Sequence, residues 1–319
     1  MTVEVPATSA NLGPGFDCFG LALDWRERVN LAVIEQGYQI EVSGEGAADL
    51  PRDESHLIIR SALVGLADLG MSAPGLWLGC RNTIPHGRGL GSSSAAIVAG
   101  LLAAAGLAQV DVKRDWLLGH ANAIEGHPDN VAAAVYGGFV LAYEGRTGIK
   151  VAQGQVHPSI GAALFIPQTS LATEAARDLL PETVPHIDAA ANSGRSALLV
   201  HAMASEPELL YDATHDWLHQ GYRGIAMPRS YELMKSLRGQ GFAAIISGAG
   251  PSVLVLGRAL DLAALQDQQV AGFSVRLSSI GSAASIPGPD APESRDHTVM
   301  ETPDAGASLR EPTRSGQLR

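Results

Sequence analysis

The 319-residue sequence reads as a mixed helix-and-strand protein in two successive regions. Three observations carry this. Strand-like runs such as 29–34 alternate with helix-like runs such as 55–69 up to about Val151. The pattern restarts near Ala152, where 160–166 is an apolar run closed by Pro167. From about Pro287 the chain turns to Pro, Asp, Glu, Ser, Thr and Arg with almost no apolar residues.

The elements follow in order. Segments 29–34 and 38–42 have strand composition and are joined by a turn at Gln36-Gly37. Segment 55–69 has the spacing of an amphipathic helix, and 75–81 reads as a further strand. A small-residue helix follows the glycine-serine segment. The next helix, 113–125, has Asp111 as its expected N-cap. In the second region, 173–180 is a short helix stopped by Pro181, and 193–203 and 206–217 read as helices. Runs 243–247 and 252–256 flank Gly248-Ala249-Gly250-Pro251 as in a hairpin. The polar stretch from 287 cannot bury enough surface to offset its ordering entropy, so a disordered, non-catalytic tail is expected there.

Composition narrows the function. Hydrophobic residues make up 46%, enough for a sizeable core, and the formal net charge is -11. A general nucleic-acid binder wants a basic face, so that class is disfavoured. Cys18 and Cys80 are the two cysteines, too few for a disulfide framework or a Cys-rich zinc site. The start of the chain lacks the basic-then-apolar pattern of a signal peptide. The most apolar stretch, 95–108, is too short to span a bilayer. A cytoplasmic protein is expected, with no membrane or nucleic-acid partner.

The most informative stretch is Ile84-Pro85-His86-Gly87-Arg88-Gly89-Leu90-Gly91-Ser92-Ser93-Ser94-Ala95-Ala96. Its alternate glycines let the backbone approach a ligand closely. The helix after it presents unpaired N–H groups and a positive dipole end to the loop, which suits phosphate. The hydroxyls of Ser92, Ser93 and Ser94 suit phosphate or Mg²⁺. There is no Gly-x4-Gly-Lys-Ser/Thr, and Gly87, Gly89 and Ser92 break the dinucleotide-binding glycine pattern. A plain glycine turn before a serine-capped helix remains the competing reading. Further on, Glu125-Gly126-His127-Pro128-Asp129-Asn130 offers Glu125 as a hard-oxygen ligand for Mg²⁺. Its plain alternative is a turn, since Pro, Asp and Asn are turn formers. The spacing of His120, Glu125 and His127 does not match a zinc motif.

Three separated motifs then coincide. Val5-Pro6-Ala7-Thr8-Ser9-Ala10-Asn11-Leu12-Gly13-Pro14-Gly15-Phe16-Asp17 resembles the first motif of the GHMP kinase superfamily. The 85–96 segment resembles its phosphate-binding motif, and Ser247-Gly248-Ala249-Gly250-Pro251-Ser252 its C-terminal glycine motif. Within the superfamily, 9–17, 125–134, 173–177 and 216–223 are similar to the homoserine kinase family, and the resemblance covers 3–280. It implies an α+β, two-domain fold: an N-terminal ATP-binding domain of the ribosomal S5 domain 2 type at 1–151, and a ferredoxin-like C-terminal domain at 152–286. The segment 287–319 is then the tail.

The resemblance also implies a reaction, transfer of the ATP γ-phosphoryl to the side-chain hydroxyl of L-homoserine in threonine biosynthesis, and a homodimer. By the family pattern, Asn11, Asp17, His127, Asp129, Arg177 and Arg223 line the substrate, and Asn11 and Thr173 lie beside the reacting groups. Pro85, His86, Gly87, Arg88, Gly89, Leu90, Gly91, Ser92, Ser93, Ser94 and Ala95 surround the nucleotide, and Ser92 and Glu125 hold Mg²⁺. The side-chain chemistry agrees with a zwitterionic substrate: guanidinium suits an α-carboxylate, and a carboxylate suits an ammonium. Two rival readings stand at this point, a GHMP kinase for another hydroxyl metabolite and a catalytically silent nucleotide-binding relative.

Overall fold

The computed structural model describes residues 1–288 and 308–311. The expected tail therefore lies outside the described residues, apart from 287–288 and 308–311. In that second piece Arg310 forms an antiparallel bridge with Ser72, and Leu309 packs against the core.

The first region holds strands β1 (Thr2–Ala10), β2 (Phe19–Val33) and β3 (Gly37–Gly44), then helix α1 (Leu57–Asp68) and β4 (Gly75–Asn82). Helices α2 (Ser92–Leu107), α3 (Arg114–Glu125) and α4 (Pro128–Tyr136) follow, then β5 (Phe139–Gly145) and β6 (Gly148–Gly154). One sheet runs β3-β4-β2-β5-β6, with β1 also paired to β2. The expected neighbours β2 and β3 are separated by β4, which pairs antiparallel with β2 and parallel with β3. A parallel pair needs a crossover, and α1 supplies it, so the short Gln36-Gly37 turn makes no hairpin. Helix α3 begins at Arg114 behind Lys113, without a side-chain cap, so Asp111 is not its N-cap. The Pro128-Asp129-Asn130 segment is the first turn of α4, with Pro at its start, where a missing N–H costs nothing.

The second region holds β7 (Ile160–Pro167), α5 (Thr173–Arg177), α6 (His186–Ala204), α7 (Leu210–Ala213), α8 (Gln220–Arg223) and α9 (Pro228–Gly239). It closes with β8 (Ala243–Ile246), β9 (Val253–Arg258), α10 (Ala259–Leu262) and β10 (Phe273–Ser278). These strands form an antiparallel sheet in the order β10-β7-β9-β8. The helix expected over 206–217 breaks up instead. Thr214 turns its hydroxyl back onto the Leu210 carbonyl at 2.8 Å, and α7 ends there. Beyond it the Asp216 carboxylate takes the amides of Leu218, His219 and Gln220, which starts α8.

The apolar runs of the second sheet are buried on both faces, and their alternation divides them. Ala162, Leu164, Ile245, Leu254 and Leu256 join the large core under the first sheet and α2. Ala163, Phe165, Ile246, Val253 and Val255 pack with Met234 and Leu237 of α9 in a second core. The glycine loop and the 11–17 segment meet the Ser247–Ser252 turn along the seam between the two sheets.

Candidate active site

The loop before α2 is held in one shape by three left-handed glycines, Gly87, Gly89 and Gly91, with φ of 64°, 69° and 68°. A Cβ on Gly89 would stand 2.1 Å from the Ser247 carbonyl, so glycine is required both for backbone and for space. Gly91 is the N-cap of α2 and offers no side chain to its first amides. Those amides are thus left to a ligand or to water. The loop's flanks are tied down. The Thr8 amide donates to the Leu90 carbonyl at 3.0 Å, and the Ser247 hydroxyl to the Gly89 carbonyl at 2.6 Å.

Within the expected nucleotide segment the side chains divide. Leu90 and Ala95 are buried core residues, so only their backbone is available. Arg88 donates to the carbonyls of His86, Pro167 and Gln168, strapping the loop to the end of β7. His86 is half-buried against Asn82, and burial lowers its imidazole pKa.

Glu125, the last residue of α3, reaches the start of α2. Its Oε1 accepts from Ser93 at 2.6 Å and from Ser94 at 2.9 Å. Ser92, expected to share an ion with Glu125, is the first residue of α2 and is not among these partners. A carboxylate and two hydroxyls beside helix-end amides form a hard-oxygen donor set that fits Mg²⁺. His127 Nδ1 lies 3.4 Å from Asp129 Oδ1, and that carboxylate raises the imidazole pKa against the effect of burial.

The 11–17 segment is the opposite wall. Asn11, Leu12 and Asp17 all have positive φ, at 68°, 48° and 54°. Such backbone persists only where its surroundings over-determine it. Asn11 Nδ2 donates to the Gly248 carbonyl and its Oδ1 accepts the Asp17 amide, both at 2.9 Å. Asn192 and Ser196 of α6 donate to the Pro14 carbonyl at 2.8 Å, and His219 Nε2 to that of Gly13 at 2.8 Å.

Asp17 and Arg177 form a two-point ion pair, both contacts 2.9 Å. Arg223 is 1% exposed and donates from Nε to the Ala176 carbonyl at 3.2 Å. Burial first, and Arg177 second, lower its pKa, while Asp17, Asp216 and Asp129 oppose this. Both guanidinium groups lie over the Phe16 ring, at 5.8 Å for Arg177 and 5.2 Å for Arg223. Asp17, Arg177 and Arg223, far apart in sequence, thus share one corner. Thr173 is the first residue of α5, one turn before Arg177.

Several supporting residues escaped the sequence reading: Thr8, whose hydroxyl bonds Asn130 Oδ1 at 2.8 Å beside Gly91, and Asn192, Ser196 and His219. The available trace is a polar residue at an otherwise apolar or fully buried place, such as Thr8 inside β1. A cleft of about 670 Å³ lies elsewhere, lined by Glu4, Arg26, Arg81 and Arg276 among others, and contains none of the expected site residues.

The glycine loop on a helix start and the carboxylate beside it lie at the seam between the two sheets. The family model for the GHMP kinases N terminal domain matches residues 56–138, and that for GHMP kinases C terminal matches 189–269. A homoserine kinase of Streptomyces coelicolor is 51% identical over 81% of this chain and 84% of its own length. One of Streptomyces avermitilis is 50% identical over 88% and 90%. The crystal structure of homoserine kinase from Cytophaga hutchinsonii superposes with a TM-score of 0.77 at 27% identity, covering 89% of this chain and 96% of the other. The L. major mevalonate kinase shares the fold, with a TM-score of 0.65 at 14% identity over 89% and 97%. The chain belongs to the homoserine kinase family of the GHMP kinases.

Proposed function

We propose that this chain transfers the γ-phosphoryl group of ATP to the side-chain hydroxyl of L-homoserine, giving O-phospho-L-homoserine for threonine biosynthesis. Half-identity to homoserine kinases over most of their length supports the reading. The observation that carries the substrate class is the corner of Asp17, Arg177 and Arg223. Two guanidinium groups that repel each other, one of them paired to the half-exposed Asp17 carboxylate, suit a ligand whose carboxylate meets the arginines and whose ammonium meets Asp17. A sugar has no carboxylate and mevalonate has no ammonium, so neither uses the whole corner.

In this reading the amino acid inserts into the ion pair that Asp17 and Arg177 make with each other. Arg177 and Arg223 take the α-carboxylate and Asp17 the ammonium. Arg177 is 43% and Asp17 34% exposed, and a pair so wetted contributes under about 1 kcal/mol, so exchanging it costs little. His127 and Asp129 stand nearby, and Asn11 and Thr173 orient the hydroxyl. The oxygen of that hydroxyl bonds to the γ-phosphorus as the bond to the β-phosphate oxygen breaks. ADP leaves, and the hydroxyl proton passes to the transferred phosphoryl group or to water. Loop amides at 85–95 and the start of α2 hold the phosphates, and positioning supplies most of the rate. Glu125 with Ser92, Ser93 and Ser94 would hold Mg²⁺, which when bound neutralises phosphate charge. Segments 1–151 and 152–286 serve as the two domains, and the seam between them is the site. A cytoplasmic homodimer fits this reading.

The test is coupled ADP release with Mg²⁺ across L-homoserine, L-serine, L-threonine, mevalonate and galactose. Preference for L-homoserine is expected, and clear preference for any other acceptor refutes the substrate assignment. Arg177→Ala should raise the homoserine KM by about tenfold or more while the ATP KM stays near wild type, because charged hydrogen bonds are each worth about 1.5–3 kcal/mol.

A further inference from the structure

His219 occupies an unusual position for a residue with no part in the chemistry. It is fully buried at the N-cap of α8, against the Gly13 turn on one side and Arg223 on the other. Its Nε2 donates to the Gly13 carbonyl at 2.8 Å, inside the strained 11–17 segment. Its Nδ1 faces Arg223 Nη1 at 3.3 Å. A guanidinium only donates, so Nδ1 must accept, and the neutral tautomer with the proton on Nε2 satisfies both contacts. Burial, the leading influence, lowers the His219 pKa and keeps it in that neutral form. The ring also lies 5.2 Å from Phe16, the aromatic on which Arg177 and Arg223 both rest.

The fold fixes this imidazole from behind. The Asp216 carboxylate, itself buried, accepts the amides of Leu218, His219 and Gln220 at 2.8, 3.1 and 2.8 Å. That cap sets the first turn of the four-residue helix that begins just after His219, its N-cap residue, and ends at Arg223. So short a helix has little stability of its own, and its register depends on such a cap. Arg223 needs the support, since a long side chain would otherwise spread over several rotamers.

We propose that His219 is the positioning residue of the amino-acid site, locking Arg223 in the orientation that receives the α-carboxylate and tying it to the Gly13 turn that carries Asn11 and Asp17. The proposal deepens the functional reading and rests on it. His219 touches neither the substrate nor the phosphates and acts through Arg223 and Gly13.

The test compares His219→Leu, His219→Asn and His219→Gln in the full chain. Asparagine keeps an acceptor near the Nδ1 position, whereas glutamine keeps a donor near Nε2. The leucine variant should raise the homoserine KM by about tenfold, the effect of one or two lost buried hydrogen bonds, with the ATP KM unchanged. Asparagine should recover more of the homoserine KM than glutamine. In an Arg223→Lys background the leucine change should add little, because the two residues act as one unit. A homoserine KM within about twofold of wild type, or equal rises for homoserine and ATP, overturns the proposal. If the leucine variant does not fold, the order of asparagine and glutamine decides, and the reverse order refutes it. Failure of the wild-type chain to phosphorylate L-homoserine sinks the functional reading and this proposal together. Normal wild-type turnover with indifferent variants sinks the proposal alone.

Discussion

Asn11 shows how one side chain can hold a loop from two sides. It is 3% exposed, and its carboxamide bonds Gly248 on one side and the Asp17 amide on the other. Its positive φ is one that asparagine tolerates better than most residues. Removing the carboxamide strands a buried carbonyl and an amide, at about 1–3 kcal/mol. Asn11→Ala should therefore lower urea stability by about 2 kcal/mol and depress turnover together. Wild-type turnover in a destabilised protein would leave Asn11 a clamp only and remove it from the reacting groups. The ion pair of Asp17 and Arg177 was not foreseeable. Each residue was expected to face substrate, and only their meeting across the seam reveals that they hold one another.

At the scale of elements, the glycine loop depends on where β4 ends. There the Glu27 carboxylate, 4% exposed, accepts the Thr83 and Ile84 amides at 3.1 and 3.4 Å. Burial pushes its pKa up to about 7 from the ordinary 4.5, despite the pull of the Ile84, Thr83 and Cys80 bonds. The folded chain thus keeps a proton that the unfolded chain releases between these values. The stability from this group is complete below about 4.5 and falls as pH rises through about 7, a loss on the order of 3 kcal/mol. Glu27→Gln keeps an acceptor for the two amides and never ionises, so it should flatten that decline. Urea unfolding at about pH 5 and about pH 8 measures it, and an unchanged slope in the variant excludes Glu27 as the source. Elements with strong apolar runs, α2, β7 and β9, were readable from sequence because burial on all sides leaves few alternatives. The break between α7 and α8 was not, because the Thr214 back-bond and the Asp216 cap compete with a helix that propensity alone would continue.

For the whole molecule, the shared core decides how the two regions behave. Leu254 of β9 is fully buried and faces the core that also holds β1, β2 and α2. Leu254→Ala should cost about 2–5 kcal/mol and shift a single calorimetric transition for the whole chain. Two separated transitions, with only one moved by the substitution, would show that the regions unfold independently. A shared apolar seam also keeps the glycine loop and Asp17 of the first region in register with Arg177 on α5 and Arg223 on α8 of the second.

The sequence by itself determined the shape of the glycine loop, because glycine and serine in that order restrict backbone and donors locally. It also determined the α+β character and, by resemblance, the kinase family. Tertiary structure alone decided the strand order around β4, the hydrogen bonds of Ser93 and Ser94 to Glu125, and the assembly of the arginine corner. Those features arise from contacts between residues 31 to 206 positions apart, from Ser94–Glu125 to Gly13–His219. No local period or spacing encodes such pairs, since they form only when separate hydrophobic faces are buried against one another.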